Sequence, residues 1–229
     1  MISPASEDYL KTIYKLQNHK ARVTTSAIAG KLTVSDATVT SMIKKLAREK
    51  YLMHVSYHGV VLTDKGEKIA IGVIRKHRLV ELFLKEVLGL EWDKVHAEAE
   101  RLEHVISDEI IERIDQLLGY PKIDPHGDPI PTEEGEIDNV GRDRCLADAE
   151  AGETVVISRV NDDDPIKLHF MAEMGLYPEV KLLVTDKPPF EGDLSIKVGS
   201  SFHRLPRIVA RSIYVAQSGK SWQGDKEII

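Results

Sequence analysis

Apolar residues recur every three or four positions over most of the first 118 residues, which is the spacing of amphipathic helices. The segment SEDYLKTIYKL predicts a first helix with Ser6 as its N-cap, and SAIAGKL predicts a shorter second one. A third helix is predicted from Ser35, with an inner face formed by Val39, Met42, Ile43 and Leu46. YLMHVSY and VVLTDK then predict two strands joined at His58-Gly59. This order is typical of a winged helix-turn-helix, here over residues 1–72.

Two longer helices are predicted between Lys65 and Leu118, and the second is predicted to run without a break from about Asp93. Its broad apolar stripe consists of Val95, Ala99, Leu102, Val105, Ile106, Ile110, Ile114 and Leu117. Such a stripe needs a partner surface on a second domain or a second subunit. GYPKIDPHGDPIPTEEGEIDN, rich in Pro, Gly and acidic residues, is predicted to be irregular. We therefore expect a helical domain over residues 73–141.

The pattern changes after Ala149 to short β-prone runs broken by Gly and Pro. Five such runs, from GETVVISRV to SIYVAQ, and a brief helix around IKLHFMAEMGL predict a small five-stranded β-barrel within residues 142–229. The polar tail SGKSWQGDKEII is expected to fray. The predicted fold class is mainly α with small β elements.

Charge separates the two ends of the chain. Residues 1–76 carry a net charge of +7 within a total of −6, so the remainder carries −13. A basic module followed by an acidic one suits polyanion binding at one end and cation binding at the other, although both could simply be solvated surfaces. No apolar run approaches the ~18 residues of a membrane span, and the start lacks the features of a signal peptide. A cytoplasmic location is therefore expected. Cys145, the only cysteine, excludes an internal disulfide and a thiolate-rich zinc site.

The strongest candidate chemistry lies in EAERLEHVISDE, where Glu100, Glu103 and His104 have the spacing of one helical face. His77 and Glu81 lie four residues apart on the preceding predicted helix, and His96 precedes Glu100 by four. Two antiparallel helices with facing histidines and carboxylates can enclose a cation, as helical bundles do. The alternative is that all of these groups are solvated charges on helix surfaces.

Five segments occur in an order that resembles the diphtheria-toxin-repressor family of metalloregulators: EDYLKTIYKL, the helix-turn-helix, RKHRLVELFL, KVHAEAERLEHVISDE and YPKIDPHGDPIP. The resemblance covers essentially the whole chain, because the last domain resembles the family's SH3-like (FeoA-like) β-barrel. It implies a helical metal-binding and dimerisation domain between the winged helix and the barrel. It also implies a repressor of metal-uptake genes that binds palindromic operator DNA as a homodimer when Mn2+ is bound, with neither catalytic residues nor a small-molecule substrate.

The resemblance implies a primary metal site formed by Asp8, His77, Glu100, Glu103 and His104. Iron-responsive members place sulfur ligands at the positions of Asp8 and Glu100, so the carboxylates here favour Mn2+, with Fe2+ as the alternative. Zn2+, Co2+ and Cd2+ are expected substitutes in vitro. Lys11 stands where the short manganese sensors have a glutamate that can hold a second ion, which puts their paired-metal arrangement in doubt here.

A secondary metal site is implied by resemblance to three-domain manganese regulators. Its expected members are Glu81, Asp124, His126 and one of the three aspartates Asp162, Asp163 and Asp164. Asp124 stands where such segments often have a cysteine. His96 is an alternative member, because iron-type relatives use that histidine in an ancillary site.

The helix from Ser35 is expected to enter the major groove of DNA. Family positions imply base contacts from Ser35, Ala37 and Ser41 and phosphate contacts from Thr38, Thr40 and Lys44. A wing around Tyr57-His58 and Lys65 could reach the DNA backbone.

Two other classes of protein are compatible with parts of the sequence. A metal-dependent hydrolase would use Glu103 as general base, but no nucleophile motif or Gly-rich phosphate loop occurs in the sequence. An interaction module acting through residues 150–217 would leave the winged helix without a purpose. The sequence therefore predicts a regulator rather than an enzyme.

Overall fold

The computed structural model describes residues 2–19, 23–55, 59–137 and 144–217. Its helices are α1 (Pro4–His19), α2 (Thr25–Leu32), α3 (Asp36–Arg48), α4 (Asp64–Glu86), α5 (Val95–Leu102), α6 (Asp108–Leu117), α7 (Pro165–Glu173) and α8 (Arg207–Ala210). Its strands are β1 (Leu52–Val55), β2 (Gly59–Leu62), β3 (Arg144–Cys145), β4 (Thr154–Val160), β5 (Lys181–Asp186), β6 (Leu194–Val198), β7 (Ser201–Leu205) and β8 (Ile213–Gln217). Within the described residues, no helix is long and apolar enough to cross a membrane.

The chain divides into two compact units that are not continuous in sequence. The first unit combines Met1–Phe83, Ala97–Lys122 and Ile130–Asp138, and the second combines Leu84–His96, Ile123–Pro129 and Asn139–Ile229. The three domain ranges expected from the sequence stay predictions.

The first unit contains the winged helix-turn-helix that the sequence predicted. Leu10 and Ile13 of α1 pack with Val39 and Leu46 of α3, and all four are fully buried. The α1 helix begins at Pro4, so the prediction of Ser6 as N-cap is wrong. Proline is well suited to a first helical position because it lacks the N–H that would go unbonded there. The carbonyl of the preceding residue, Ser3, accepts the N–H of Ser6 at 2.8 Å.

Ser35 caps α3 as predicted, because its side chain accepts the N–H of Thr38 at 3.2 Å. After α3, β1 and β2 form the predicted antiparallel hairpin, in register from Leu52–Leu62 to Val55–Gly59. Gly59, which the sequence predicted in the turn, is the first residue of β2. The wing positions Tyr57 and His58 lie outside the described residues.

The predicted continuous helix up to Leu118 is instead two helices, α5 and α6, and that prediction is wrong. Ser107 ends the break by capping α6, accepting the N–H of Ile110. Glu103 and His104 therefore lie in the turn that follows α5. The N–H of Glu103 still bonds the carbonyl of Ala99 at 2.9 Å, so the helical spacing holds as far as Glu103.

Apolar side chains remain exposed on α5, α6 and the turns that follow each of them. Ile111 and Ile114 are buried on the inner face of α6, and Arg75 of α4 binds the carboxylate of Asp115 at 2.6 Å. The exposed apolar residues are Leu102, Val105, Ile110, Leu117 and Tyr120, with Val105 74% exposed. Their position fits the partner surface that the sequence required.

The second unit is built around an antiparallel sheet in the order β3-β8-β4-β5-β6-β7. The sequence predicted five strands, and the structure adds the two-residue β3, which is too short to leave an alternating pattern. Its core includes Val155, Ile157, Leu182 and Ile196, all at most 1% exposed. The predicted brief helix is α7, which begins after Asp164.

Candidate metal centres and DNA-facing helix

Glu103 is the centre of a polar cluster inside the first unit. It is 1% exposed, and its two carboxylate oxygens have different partners. Oε2 lies 2.6 Å from Nδ1 of His77 on α4. Oε1 accepts a hydrogen bond from Nζ of Lys11 on α1 at 2.5 Å and lies 3.2 Å from Nε2 of His104. Three elements therefore meet at one carboxylate.

His104 is held between two carboxylates from the start of α1. Its Nε2 lies 2.8 Å from Oδ1 of Asp8, and its Nδ1 lies 2.6 Å from Oε2 of Glu7. Asp8 was expected as a ligand from the sequence. Glu7 was not, although its neighbour Asp8 marked this end of α1 as part of the site.

Lys11 is a buried cation among the expected ligands. Its Nζ donates to Oε1 of Glu100 at 2.8 Å as well as to Glu103, and the residue is 6% exposed. The sequence identified this position as a departure but did not predict the two ion pairs. Their signal is helical spacing, since Lys11 follows Glu7 by four residues and Asp8 by three.

The five expected primary ligands fall into two groups that share Glu103. One group is Asp8, Glu103 and His104, and the other is His77, Glu100 and Glu103. Within each group, one donor atom from every residue lies within 4.8 Å of the others. Carboxylate oxygens and imidazole nitrogens are suitable ligands for Mn2+, Fe2+ and Zn2+, so the donor set fits a divalent cation. Both groups also lie within the first unit.

The pKa values of these groups reflect their burial and their partners. Burial lowers the pKa of His77, but the charge of Glu81 and the bond with Glu103 outweigh it, so the pKa is raised. Burial likewise lowers the pKa of His104, and the bond with Glu7 and the charges of Glu103 and Asp8 raise it overall. Burial raises the pKa of Glu103, but the contacts with His77 and Lys11 bring it below its usual value.

The residues expected at the secondary site are divided between the units. Glu81 belongs to the first unit, where its Oε1 lies 2.9 Å from Nε2 of His77. Asp124 and His126 belong to the second unit and are both buried. Oδ1 of Asp124 accepts the backbone N–H groups of His126 and Asp128 at 2.8 and 2.9 Å, so backbone geometry fixes this carboxylate.

The loop that carries Asp124 and His126 is fixed within the second unit. The carbonyl of His126 accepts the N–H of Val160 at 2.9 Å. Trp92 donates its Nε1 hydrogen to the carbonyl of Pro125 at 2.7 Å. Gly127 has φ +92°, and a Cβ there would lie 2.2 Å from the carbonyl oxygen of Ser158, so only glycine fits.

The three aspartates that the sequence could not rank have different surroundings. Asp162 is 7% exposed, and its Oδ2 lies 3.1 Å from Nδ1 of His96, the other expected member. Asp163 is exposed and accepts a hydrogen bond from Asn161. Asp164 caps α7 by accepting the N–H of Ile166 at 3.1 Å. The structure thus brings His96 and Asp162 together and gives Asp164 a structural role.

The exposed face of α3 carries every residue expected to contact DNA: Ser35, Ala37, Thr38, Thr40, Ser41 and Lys44. The hydroxyl of Thr40 donates to the carbonyl of Asp36 at 2.8 Å, and the hydroxyls of Ser35 and Thr38 are also 2.8 Å apart. Lys65 lies on α4, where its ammonium group sits 4.0 Å from the ring centre of Tyr51. The first turns of α3 are therefore solvent-exposed on the face that is predicted to enter a DNA groove.

Comparison with known proteins gives a consistent result. Residues 1–60 match the family model "Iron dependent repressor, N-terminal DNA binding domain". Residues 63–132 match "Iron dependent repressor, metal binding and dimerisation domain", and residues 144–217 match "FeoA domain". The iron-dependent repressor IdeR of Mycobacterium leprae (strain TN) is 32% identical over 225 residues, covering 92% of this chain and 96% of the relative.

Solved structures agree with this assignment. A manganese-dependent transcriptional repressor in complex with manganese is 37% identical, with a TM-score of 0.85, over 93% of this chain and 99% of that chain. The manganese regulator SloR is 34% identical, with a TM-score of 0.77, over 94% of this chain and 100% of that chain. ScaR with bound Cd2+ is 37% identical, with a TM-score of 0.79, over 93% and 99%.

The fold and the site define a metal-dependent transcriptional repressor with a DNA-binding domain and a metal-binding dimerisation domain. The chain belongs to the iron-dependent repressor family, the same family that the sequence motifs resemble. The similar proteins are repressors and not enzymes, which confirms the regulator prediction and leaves the hydrolase and interaction-module interpretations without support.

Proposed function

We propose that this chain is a Mn2+-responsive repressor that binds palindromic operator DNA as a homodimer in the cytoplasm and controls metal-uptake genes. The observation that carries the proposal is the contact between Asp8 of α1 and His104 of the turn after α5, at 2.8 Å. The same α1 helix supplies Leu10 and Ile13 to the core shared with α3. A cation bound by Asp8 would therefore act directly on α1, the helix that supports the DNA-facing helix α3.

The residues around Glu103 explain how an ion would be held. Asp8, Glu103 and His104 form the group from which the cation would be bound, with ligands from α1 and from the turn after α5. A bound divalent cation would supply positive charge that offsets the repulsion among neighbouring carboxylates. Asp8 would then hold α1 in one position, fixing the two α3 helices of a dimer at the spacing of one DNA turn, about 34 Å.

The position of Lys11 favours the binding of one cation in this cluster rather than two. Its ammonium group is bonded to Glu100 and Glu103, two of the three members of the His77 group. A tethered positive charge therefore already pairs with the Glu100 oxygen that a second ion would use, and with the Glu103 oxygen that faces His104. His77 and Glu100 would stabilise Glu103 and, through it, the cation at the first group.

The choice of Mn2+ rests on ligand chemistry. Asp8 and Glu100 are carboxylates, and hard oxygen donors suit Mn2+ better than they suit softer ions. Two relatives of similar identity are named for manganese, whereas IdeR is named for iron, so an Fe2+-responsive repressor is the second candidate. Zn2+, Co2+ and Cd2+ are proposed as in vitro substitutes.

The second unit is proposed to supply further cation ligands from two pairs of residues, Asp124 with His126 and Asp162 with His96. The burial of Asp124, His126 and Asp162 and the 3.1 Å approach of Asp162 to His96 support this proposal.

The exposed apolar residues from Leu102 to Tyr120 support the homodimer, because an apolar patch of this kind marks an interaction surface. Ser35, Ala37 and Ser41 are proposed to face bases, and Thr38, Thr40 and Lys44 to face phosphates.

The test is selection of binding sites from a random duplex pool with Mn2+, with Fe2+ under anaerobic conditions, and with EDTA. We expect palindromic sites enriched with Mn2+ and not with EDTA. An Asp8→Ala variant should lose the enrichment seen with Mn2+ and should still be folded in EDTA. Equal enrichment with and without metal would contradict metal gating, and stronger enrichment with Fe2+ at equal free concentration would favour the second candidate.

A further inference from the structure

Two adjacent carboxylates of α1 approach opposite nitrogens of the same imidazole. Asp8 approaches Nε2 of His104 at 2.8 Å, and Glu7 approaches Nδ1 at 2.6 Å. Glu103 lies 3.2 Å from Nε2, on the Asp8 side. The two proposed carboxylate ligands therefore converge on Nε2, whereas Glu7 approaches the nitrogen that faces away from them.

An imidazole that binds a metal uses the lone pair of one nitrogen and donates the N–H of the other to an acceptor. That acceptor fixes both the tautomer and the ring orientation. We infer that Glu7 is a positioning residue, which accepts the Nδ1 hydrogen of His104 and presents Nε2 to the cation held with Asp8 and Glu103. The inference rests on the proposed function, because it concerns the same cluster.

The alternative geometry makes Glu7 itself a ligand, with His104 bound through Nδ1. The distribution of acceptors argues against it, since among the residues that the structure describes only Glu7 approaches Nδ1, while both Asp8 and Glu103 approach Nε2. Glu7 and Asp8 thus both connect α1 to the His104 ring. The His104 ring is clamped between consecutive residues of α1, so rotation of this ring would move α1 through two side chains.

Glu7 can be substituted without disturbing an apolar core. It borders a cavity of about 200 Å³ that is also lined by Gly72, Lys76, Glu103 and His104. Gly72 provides a matched control on the same cavity, because a Cβ added there has no atom within 4 Å outside its own helix backbone. Gly72→Ala changes the cavity and leaves the Glu7–His104 bond in place.

The experiment compares wild type, Glu7→Gln, Glu7→Leu and Gly72→Ala as full chains labelled with 15N-histidine. Each is loaded with Zn2+ or Cd2+, and the His104 nitrogens are assigned from long-range 1H–15N spectra with a His104→Gln reference. We expect Nε2 to be metal-bound and Nδ1 to carry the proton in wild type and in Gly72→Ala. Glu7→Gln keeps an acceptor oxygen, so it should keep this pattern and bind Mn2+ less than about tenfold more weakly.

Glu7→Leu removes the acceptor, so we expect about 10- to 100-fold weaker Mn2+ binding and loss of the single Nδ1–H pattern. Coordination through Nδ1 in wild type would overturn the inference, as would unchanged Mn2+ affinity and spectra in Glu7→Leu. If Glu7→Leu fails to fold, the wild-type spectrum together with Glu7→Gln still decides which nitrogen binds. A wild-type protein that binds no divalent ion would instead overturn the proposed function, so the two failures are distinguishable.

Discussion

The two sets of histidines and carboxylates in this protein are built in different ways. In the first unit, the set joins side chains that are up to 97 positions apart, and its bonds run between side chains, with Lys11 among them. In the second unit, Asp124 is held by backbone N–H groups of its own loop, and β4 fixes the carbonyl of His126. The first set can therefore change partners and move α1, whereas the second has a fixed acceptor geometry.

The largest expected difference between the sets is in metal-dependent DNA binding. Glu103→Gln removes the charge that His77, Lys11 and His104 share, so Mn2+-dependent operator affinity should fall at least about 100-fold. Asp162→Asn in the second unit should cost about tenfold or less, since it leaves α1 and its contacts intact. Fluorescence anisotropy with the selected operator measures both, and circular dichroism checks folding. A larger loss for Asp162→Asn would reverse the comparison.

The second expected effect is on metal stoichiometry. Lys11→Glu replaces the tethered cation with a carboxylate beside Glu100 and Glu103, so it should bind one more Mn2+ per chain than wild type. Electron paramagnetic resonance should then show a spin-coupled pair in place of isolated Mn2+. Lys15→Glu makes the same charge change one turn further along α1 and should leave both measurements as in wild type. An unchanged number of bound Mn2+ ions in Lys11→Glu would rule out the hypothesis that the Lys11 ammonium group takes the place of a second ion.

The third expected effect is on pH dependence, and for the two histidines it has opposite signs for stability and for metal affinity. The raised pKa values of His77 and His104 mean that their ion pairs stabilise the metal-free protein fully below about 6.5. That contribution is lost as pH rises through the folded-state values. The lowered pKa of Glu103 adds stability that is present above about 4.5 and lost as pH falls through the folded value.

Mn2+ affinity should instead rise with pH, because the ion displaces protons from these groups. Calorimetry between about pH 6 and pH 8 should show close to a tenfold gain per pH unit for each proton released. A buffer-dependent enthalpy counts those protons. Affinity that is flat over this range would show that neither histidine carries the proton that the ion displaces.

The smallest expected effect is on the salt dependence of DNA binding. It compares the DNA-facing helix α3 with an exposed position in the second unit. Lys44→Ala should weaken DNA binding by a few-fold on all sequences and lower the slope of log K against log salt by about one, because one phosphate contact is lost. Lys181, exposed on β5, provides a control of equal charge. Lys181→Ala should leave the slope unchanged. Equal slopes for both variants would place Lys44 away from the phosphates.

Local sequence patterns were sufficient for most of the first unit's elements. The inner face of α3, the Ser35 cap and the β1–β2 hairpin are short-range features, and the structure has all three. The break between α5 and α6 was missed because the apolar stripe continues across it. Ser107, followed by Asp108 and Glu109, is the local signal that identifies a new helix start.

The sequence by itself determined the family, the order of the elements and the types of ligand available, because periodicity, caps and motif order are encoded over short distances. Only the tertiary structure showed that Lys11 binds Glu100 and Glu103, that Glu7 approaches the far side of His104, and that Asp162 is the buried aspartate beside His96. These contacts join residues dozens of positions apart. The packing of one element on another selects them from the many pairs of polar residues that the sequence would allow.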